Sequence, residues 1–528
     1  MLSSSISPQT LLRANARRVD VRHRSRLLLL SLSMLLTSCS NLQPQQASKP
    51  LSQQQIEQDL AAAGLPSDAL GLALIPLQHA GKAVYYRAEV PMAPASTMKL
   101  LTTAVALAEL GPDWHGSSAL YLSQQDQVRL AQGANSLVDP LYLVGAADTD
   151  LDYGALSDLL RQLYELGVRH LPAGVQLDRS LFAPERSDVK GVPFDESPRA
   201  YYNHQPDALD LAQNMQQLTV KSDQQQLSVQ LQPGWDGLEL DWSNVRLTDR
   251  PCAGTDFNRW QFETKQLPLS SHSAARRYQL RISGDFARGC QQQQWLAVLD
   301  RDLQLQLALQ TLWRRQGTTS DPTSFSGQLR MGAKPTDAEF LLQHSGRPLR
   351  ELLQRVNKQS DNALTRLLFL QLGVTETSKQ STPLSLRMPN QQLASQRIRQ
   401  WLEKNQLHHS GLQLDNGAGL SRSERISPLL LAQLLQQQWQ TPASLELMAS
   451  LPLAAVDGTL KNRFVNQPAA GKARLKTGTL RDVTALAGFV WDAQQRPWVW
   501  VSLVNHPDAI PRGKPLLDRW VNQLASSD

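Results

Sequence analysis

The chain has 528 residues, 41% hydrophobic and 19% charged, with a formal net charge of +6. That length exceeds one ordinary core and predicts two or three domains. The positive balance does not argue for nucleic acid: residues 1–38 carry Arg13, Arg17, Arg18, Arg22, Arg24 and Arg26 against one acid, Asp20, and without this piece the charge falls to about +1.

The same piece reads as a targeting segment (1–39). Its arginines precede "LLLLSLSMLLTSC" (27–39), an apolar run short for a bilayer span. Leu36-Thr37-Ser38-Cys39 is similar to a bacterial lipobox, in which Cys39 is lipidated and becomes the mature N-terminus. A plain signal peptide or an uncleaved anchor is the alternative. Ser40, in place of aspartate, resembles the outer-membrane sorting pattern of Gram-negative bacteria, so the expectation is a periplasmic protein held to the membrane through Cys39. In an exported chain the two remaining cysteines, Cys252 and Cys290, are most simply one disulfide, with two free buried thiols as the alternative. No Cys/His spacing suggests a metal, HExxH is absent, and the ten scattered histidines receive no catalytic role.

Residues 40–65, rich in Gln, Ser and Pro, read as a flexible tether. "LGLALIPL" (70–77) and "AVYYRAEV" (83–90) predict a hairpin. "APASTMKLLTTAVALAELG" (93–111) has helical periodicity through Leu110, with Gly111-Pro112 as a stop, and carries Ser96 and Lys99 at its head. From about 113 to 297, short alternating runs such as "LYLVGA", "AGVQLD" and "QLSVQLQPG" predict an inserted, largely β region. "VNKQSDNALTRLLFLQLG" then places Ser360-Asp361-Asn362 before an apolar helix. "ARLKTGTL", "VTALAGFVWD" and "WVWVSLVNH" predict three strands, the first bearing Lys476-Thr477-Gly478-Thr479, and "KPLLDRWVNQLASS" a closing amphipathic helix. Strands at both ends with helices between predict one α/β domain whose sheet joins N- and C-terminal strands.

A serine hydroxyl is a poor nucleophile and needs a base within hydrogen-bond reach. A lysine supplies one only if its pKa falls. Alone, Ser-x-x-Lys is more often a capping serine followed by a surface lysine. Together with Ser-Asp-Asn and Lys-Thr-Gly, in this order, it resembles the signature of class A β-lactamases and penicillin-binding proteins. More than 260 residues separate Ser96 from Ser360. That insertion resembles the D-alanyl-D-alanine carboxypeptidase/endopeptidase family of class C low-molecular-mass penicillin-binding proteins, peptidase family S13, over nearly all of residues 66–525. "LYLVGAADTDLD" (141–152), "DNGAGLSR" (415–422) and "LAAVDGTLKNRF" (453–464) belong to the likeness. The family's Gly-Gly-Asp-Pro-Thr-Leu reads Gly145-Ala146-Ala147-Asp148-Thr149-Asp150 here, a departure within the insert.

The resemblance implies an α/β fold: a β-lactamase/transpeptidase-like domain, antiparallel sheet flanked by helices (66–112 plus 298–527), with a β-rich insertion of one or two smaller domains (113–297). It implies a serine DD-peptidase acting on peptidoglycan stem peptides through an acyl-enzyme on Ser96, with β-lactam antibiotics as acylating inhibitors and no cofactor. Lys99 is then the base and Ser360 bridges it to the leaving group's proton. Asn362 holds the substrate amide; Lys476 lowers the Lys99 pKa and attracts a carboxylate that Thr477 and Thr479 bind. Gly478 permits close approach of an extended peptide, and the N–H groups of Ser96 and Thr479 form the oxyanion hole. Asp361 is structural. By position, Asp188 and Arg422 recognise the free end of the substrate's diamino acid, with solvent-exposed charge as their alternative reading. Two rivals remain: a β-lactamase, although none of Glu376, Glu403, Glu424 and Glu446 has an asparagine four residues on, and a non-catalytic wall-binding scaffold.

Overall fold

The computed structural model describes residues 51–190, 193–254, 256–268, 276–374 and 387–527. The targeting segment and Cys39 lie outside the described residues.

The run Leu70–Pro76 is apolar on both sides of its pleat, as a strand covered on both faces must be. It sits inside a five-stranded antiparallel sheet in the order Ala473–Leu480, Val483–Trp491, Pro497–Asn505, Leu70–Pro76, Val84–Tyr86. Side-chain alternation splits this sheet into two cores. Leu72, Leu74, Leu475, Leu486 and Trp500 pack with the helices Gln53–Ala62 and Lys514–Ala525. Ala73, Ile75, Ala485, Ala487 and Val501 pack with Lys99–Leu110, Asn362–Leu372 and Pro428–Trp439. The expected joining of N- and C-terminal strands, the hairpin and the closing helix are all present.

The expected tether is corrected from residue 51 onward. Ser52 caps the helix Gln53–Ala62, accepting from the Gln55 N–H at 3.2 Å. Ile56 and Leu60, one helical turn apart, are buried, and Asp59 accepts from the Trp520 indole at 2.6 Å. Two apolar residues among glutamines suffice because the rest of the sheet face supplies the partners.

The insertion is longer than expected and less purely β. Strand Leu329–Met331 pairs in parallel with Val175–Asp178, and Glu339–Ser345 pairs antiparallel with Ser117–Leu122. With Leu141–Ala146 these form a second five-stranded sheet, so the inserted body continues to about residue 346 rather than 297. The helices Tyr153–Glu165 and Arg301–Gln316 bury Leu156, Leu160, Leu305 and Trp313 in the same core. Two three-stranded sheets and a parallel two-stranded pair, Ser324–Phe325 with His170–Leu171, accompany it among the described residues. Cys252 and Cys290 are disulfide-bonded, which selects the first of the two sequence readings.

Candidate active site

Pro94-Ala95-Ser96-Thr97-Met98 makes a 3-10 turn that feeds the helix Lys99–Leu110. Ala95 holds φ 45°, a left-handed backbone costly for a residue with a Cβ and found where a site over-determines it. The Thr97 hydroxyl ties the turn by donating to the Pro94 carbonyl at 2.7 Å. Ser96 is therefore half-buried at the surface of the turn, while Lys99, the first helical residue, has no exposed surface.

Lys99 Nζ lies 3.1 Å from Ser96 Oγ, 2.7 Å from Asn362 Oδ1 and 2.5 Å from the Ala418 carbonyl. The amide and carbonyl oxygens carry no hydrogen, so both must accept. A neutral amine that donates to both has its lone pair left for the Ser96 hydroxyl. Burial drives the Lys99 pKa down to about 7, against the pull of the Glu424 and Asp361 carboxylates, with Arg366 adding a smaller push downward. The agent expected from sequence, Lys476, is not the principal one. Its own amine is held well below the ordinary lysine value by burial and by repulsion from Lys99.

Ser360 stands at φ 60°, and its Oγ accepts from Lys476 Nζ at 2.9 Å. Lys476 also donates to the Thr477 carbonyl at 2.9 Å and is fully buried. Asp361 caps the helix Asn362–Leu372, accepting from the Leu364 N–H at 3.0 Å. Its other oxygen accepts from Tyr201 at 2.7 Å and Arg355 at 2.9 Å, which makes it structural, as read. The cap fixes Asn362 at the first helical residue. Its Oδ1 is spent on Lys99 and its Nδ2 donates to the Tyr202 carbonyl at 3.4 Å, which leaves one N–H for a ligand amide.

The motif strand packs directly on the nucleophile turn. A Cβ at Gly478 would meet the Pro94 carbonyl at 2.7 Å, so this glycine is required by packing as well as by any approaching peptide. Thr477 is half-buried and donates to the Thr459 hydroxyl at 2.8 Å, a contact the sequence reading did not anticipate; Thr479 is exposed.

Arg422 is exposed, with its guanidinium 5.0 Å from the Phe194 ring. Asp188 is not brought to it. The Asp188 carboxylate is held by Arg186 at 3.0 Å and Arg301 at 3.3 Å, inside an ion-pair network of the insertion. Asp195 is the acid beside Arg422. Burial raises its pKa, but the Ser197 N–H, Tyr202, Asn203 and the Arg422 charge outweigh that and hold the carboxyl below its ordinary value. Asp195 could have been suspected from Asp-x-Ser turn chemistry just ahead of Tyr201-Tyr202, both of which reach the Ser-Asp-Asn motif.

Of the glutamates weighed for a β-lactamase, Glu376 lies outside the described residues. Glu424 has both oxygens occupied by backbone N–H groups and is buried, so it is no water-activating base.

A helix-flanked antiparallel sheet with a buried lysine against a half-exposed serine defines the class of serine acyl-transfer enzymes that work by a Ser–Lys pair. The family description "D-Ala-D-Ala carboxypeptidase 3 (S13) family" matches residues 52–524, and the chain belongs to that family. It is 25% identical over 431 residues to the D-alanyl-D-alanine carboxypeptidase DacB of Haemophilus influenzae, covering 80% of this chain and 82% of that one. It is 27% identical over 411 residues to a D-alanyl-D-alanine carboxypeptidase of Actinomadura sp., covering 75% and 70%. The fold matches the crystal structure of penicillin binding protein 4 from Haemophilus influenzae with a TM-score of 0.68 at 22% identity, over 88% of this chain and 98% of that one.

Proposed function

We propose that the protein is a serine DD-peptidase that cleaves D-alanyl peptide bonds in peptidoglycan stem peptides through an acyl-enzyme on Ser96. The observation that carries this reading is the Lys99 amine, buried, 3.1 Å from Ser96 Oγ and held by the Asn362 Oδ1 and Ala418 carbonyl acceptors at 2.7 and 2.5 Å. As Ser96 Oγ attacks the carbonyl carbon, its proton passes to Lys99 Nζ. The oxyanion forms against the N–H groups of Ser96 and Thr479, each such donor worth about 2.7–4 kcal/mol. The C–N bond then breaks. Ser360, whose oxygen accepts from the Lys476 N–H, relays the proton: it gives its hydroxyl proton to the departing nitrogen and takes in exchange the one Lys99 received from Ser96, so that Lys99 is neutral again. Water then attacks the ester carbon, giving a proton to Lys99; the bond to Ser96 Oγ breaks, and Lys99 returns the proton to Ser96.

Thr477 and Thr479 take the substrate's terminal carboxylate, and Asn362 takes its amide with the N–H left over. Arg422 and Asp195 pair with the carboxylate and ammonium of a free diamino-acid end, the role sequence position had given to Asp188. A β-lactam places a strained acyl group at the same carbon, and the Haemophilus influenzae relative was solved in complex with one, which supports acylation of Ser96 by that class. The lipobox-like run supports anchoring through Cys39 in the periplasm, on the outer membrane; labelled palmitate should enter the wild type and not Cys39→Ala.

Fluorescent penicillin labelling, run beside a D-Ala-D-Ala pentapeptide assay, tests the reading. Stable label with release of D-alanine is expected, and Ser96→Ala should lose both. Label that vanishes within seconds would mark a β-lactamase, and label without turnover a scaffold. Chromatography of digested sacculi separates the two leaving groups: fewer dimers mean crosslink cleavage, fewer pentapeptides alone mean trimming.

A further inference from the structure

The loop Asp415-Asn416-Gly417-Ala418-Gly419 is wrapped around a single side chain. Glu424 Oε1 accepts from the N–H groups of Asp415 at 3.2 Å, Asn416 at 3.0 Å and Gly417 at 2.7 Å, and Oε2 accepts from Gly419 at 2.8 Å. The one remaining N–H, that of Ala418, goes to Asn416 Oδ1 at 3.0 Å. Every peptide N–H of the loop is thus turned inward, and two of its carbonyls are turned out onto the nucleophile helix. Gly417 O accepts from the Thr102 hydroxyl at 2.7 Å, and Ala418 O accepts from Lys99 Nζ at 2.5 Å. The loop has no slack on that side, since a Cβ at Gly419 would fall 1.7 Å from the Ala95 carbonyl and 2.8 Å from the Ser96 nitrogen.

We infer that Glu424 is a positioning residue for the reaction: its carboxylate fixes the Ala418 carbonyl that, together with Asn362, holds the Lys99 amine in the orientation that leaves its lone pair for Ser96. This rests on the Ser96–Lys99 reading above and adds a part that none of the three motifs contains. The carboxylate has a second effect through its charge. Asp361, Arg366 and Lys476 also face Lys99, from the start of one helix, its second turn and the motif strand, and Asp415 faces Glu424. Glu424 and, less strongly, Asp361 oppose the downward push that burial gives Lys99; burial also raises the Glu424 pKa, against the backbone N–H bonds that favour its ionised form.

The two effects separate in variants. Glu424→Gln keeps the shape and removes the charge, but its amide nitrogen must face at least one of the four N–H donors, so the loop loses its template. The second-order rate of acylation by penicillin should fall between about tenfold and a hundredfold, and the acid limb of its pH profile should move to lower pH by about one unit. Glu424→Asp keeps the charge and shortens the reach, so its rate should fall while the limb stays at the wild-type position. Circular dichroism establishes that each variant is folded. A folded Glu424→Gln with wild-type rate and limb overturns the proposal, as does a folded Glu424→Asp with the wild-type rate. Failure of both to fold overturns it too, by assigning Glu424 to stability alone. Wild-type protein that penicillin does not acylate would instead refute the Ser96–Lys99 reading itself.

Discussion

An amine with no exposed surface holds its proton weakly because desolvation disfavours the ammonium, and at Lys99 this outweighs the opposing pull of the Glu424 and Asp361 carboxylates. The depressed pKa follows from where the Ala95–Met98 turn delivers the residue. The same closeness makes the site intolerant of added atoms. Gly419→Ala puts a methyl on the Ala95 carbonyl at a position with φ 77°, so acylation by penicillin should fall by about a hundredfold or more, measured by stopped-flow or gel labelling. At the outer edge of the site, Arg422→Ala and Asp195→Asn should each lower kcat/KM about tenfold for stem peptides with a free diamino-acid end. Substrates lacking that end should be little affected, and equal losses on both would remove the pair from recognition. Asp188→Asn should leave both kcat/KM values near wild type.

The three motifs were legible at the scale of elements because each is a short run whose position on a turn, a helix start or a strand follows from local pattern. The Lys476 strand is flanked by unmistakable β-branched and aromatic runs, and Ser360-Asp361-Asn362 includes its own helix cap. Three features were not legible. Glu424 acts across a tight turn of its own loop, and nothing in its spacing distinguishes it from Glu403 or Glu446. Asp188, in the short helix Ser187–Lys190, and Asp195 are only seven residues apart, and the tertiary path alone decides which lies near enough to Arg422 to feel its charge. The helix Gln53–Ala62 has a weak apolar stripe, so composition alone reads it as linker. That helix is nonetheless part of the sheet's cover. Ile56→Ala should lower unfolding free energy by about 2–5 kcal/mol in a denaturant titration, since Ile56 is fully buried. A change under about 0.5 kcal/mol would return the segment to the status of a tether.

Across the whole molecule, two bodies share one chain: the sheet that carries the reaction and an insertion that opens after Pro112 and closes near residue 346. Its end was misplaced from sequence because the closing strand, Glu339–Ser345, pairs with Ser117–Leu122 more than 200 residues earlier, and such pairings leave no local signal. The insertion reaches the site through the Tyr201 hydroxyl on Asp361 and the Tyr202 carbonyl on Asn362. The Cys252–Cys290 bond lies far along the insertion, closing a separation of 38 residues. In the chain-entropy model that is worth about 4 kcal/mol. Reduction, or Cys252→Ser with Cys290→Ser, should therefore destabilise the insertion while the acylation rate of folded protein stays within about twofold of wild type; a large loss of rate would mean that the bond supports the site itself.

All of this depends on a lysine that is neutral at working pH and acts on Ser96. The most direct test is the pH dependence of the second-order rate of acylation by penicillin, which reports the ionisation of the free enzyme. The account predicts a rate that climbs with rising pH through a midpoint at about 7, the value that burial imposes on Lys99, and then levels off. A rate that is flat from about pH 5 to 9, or one whose midpoint lies near the ordinary lysine value of about 10.4, would contradict it.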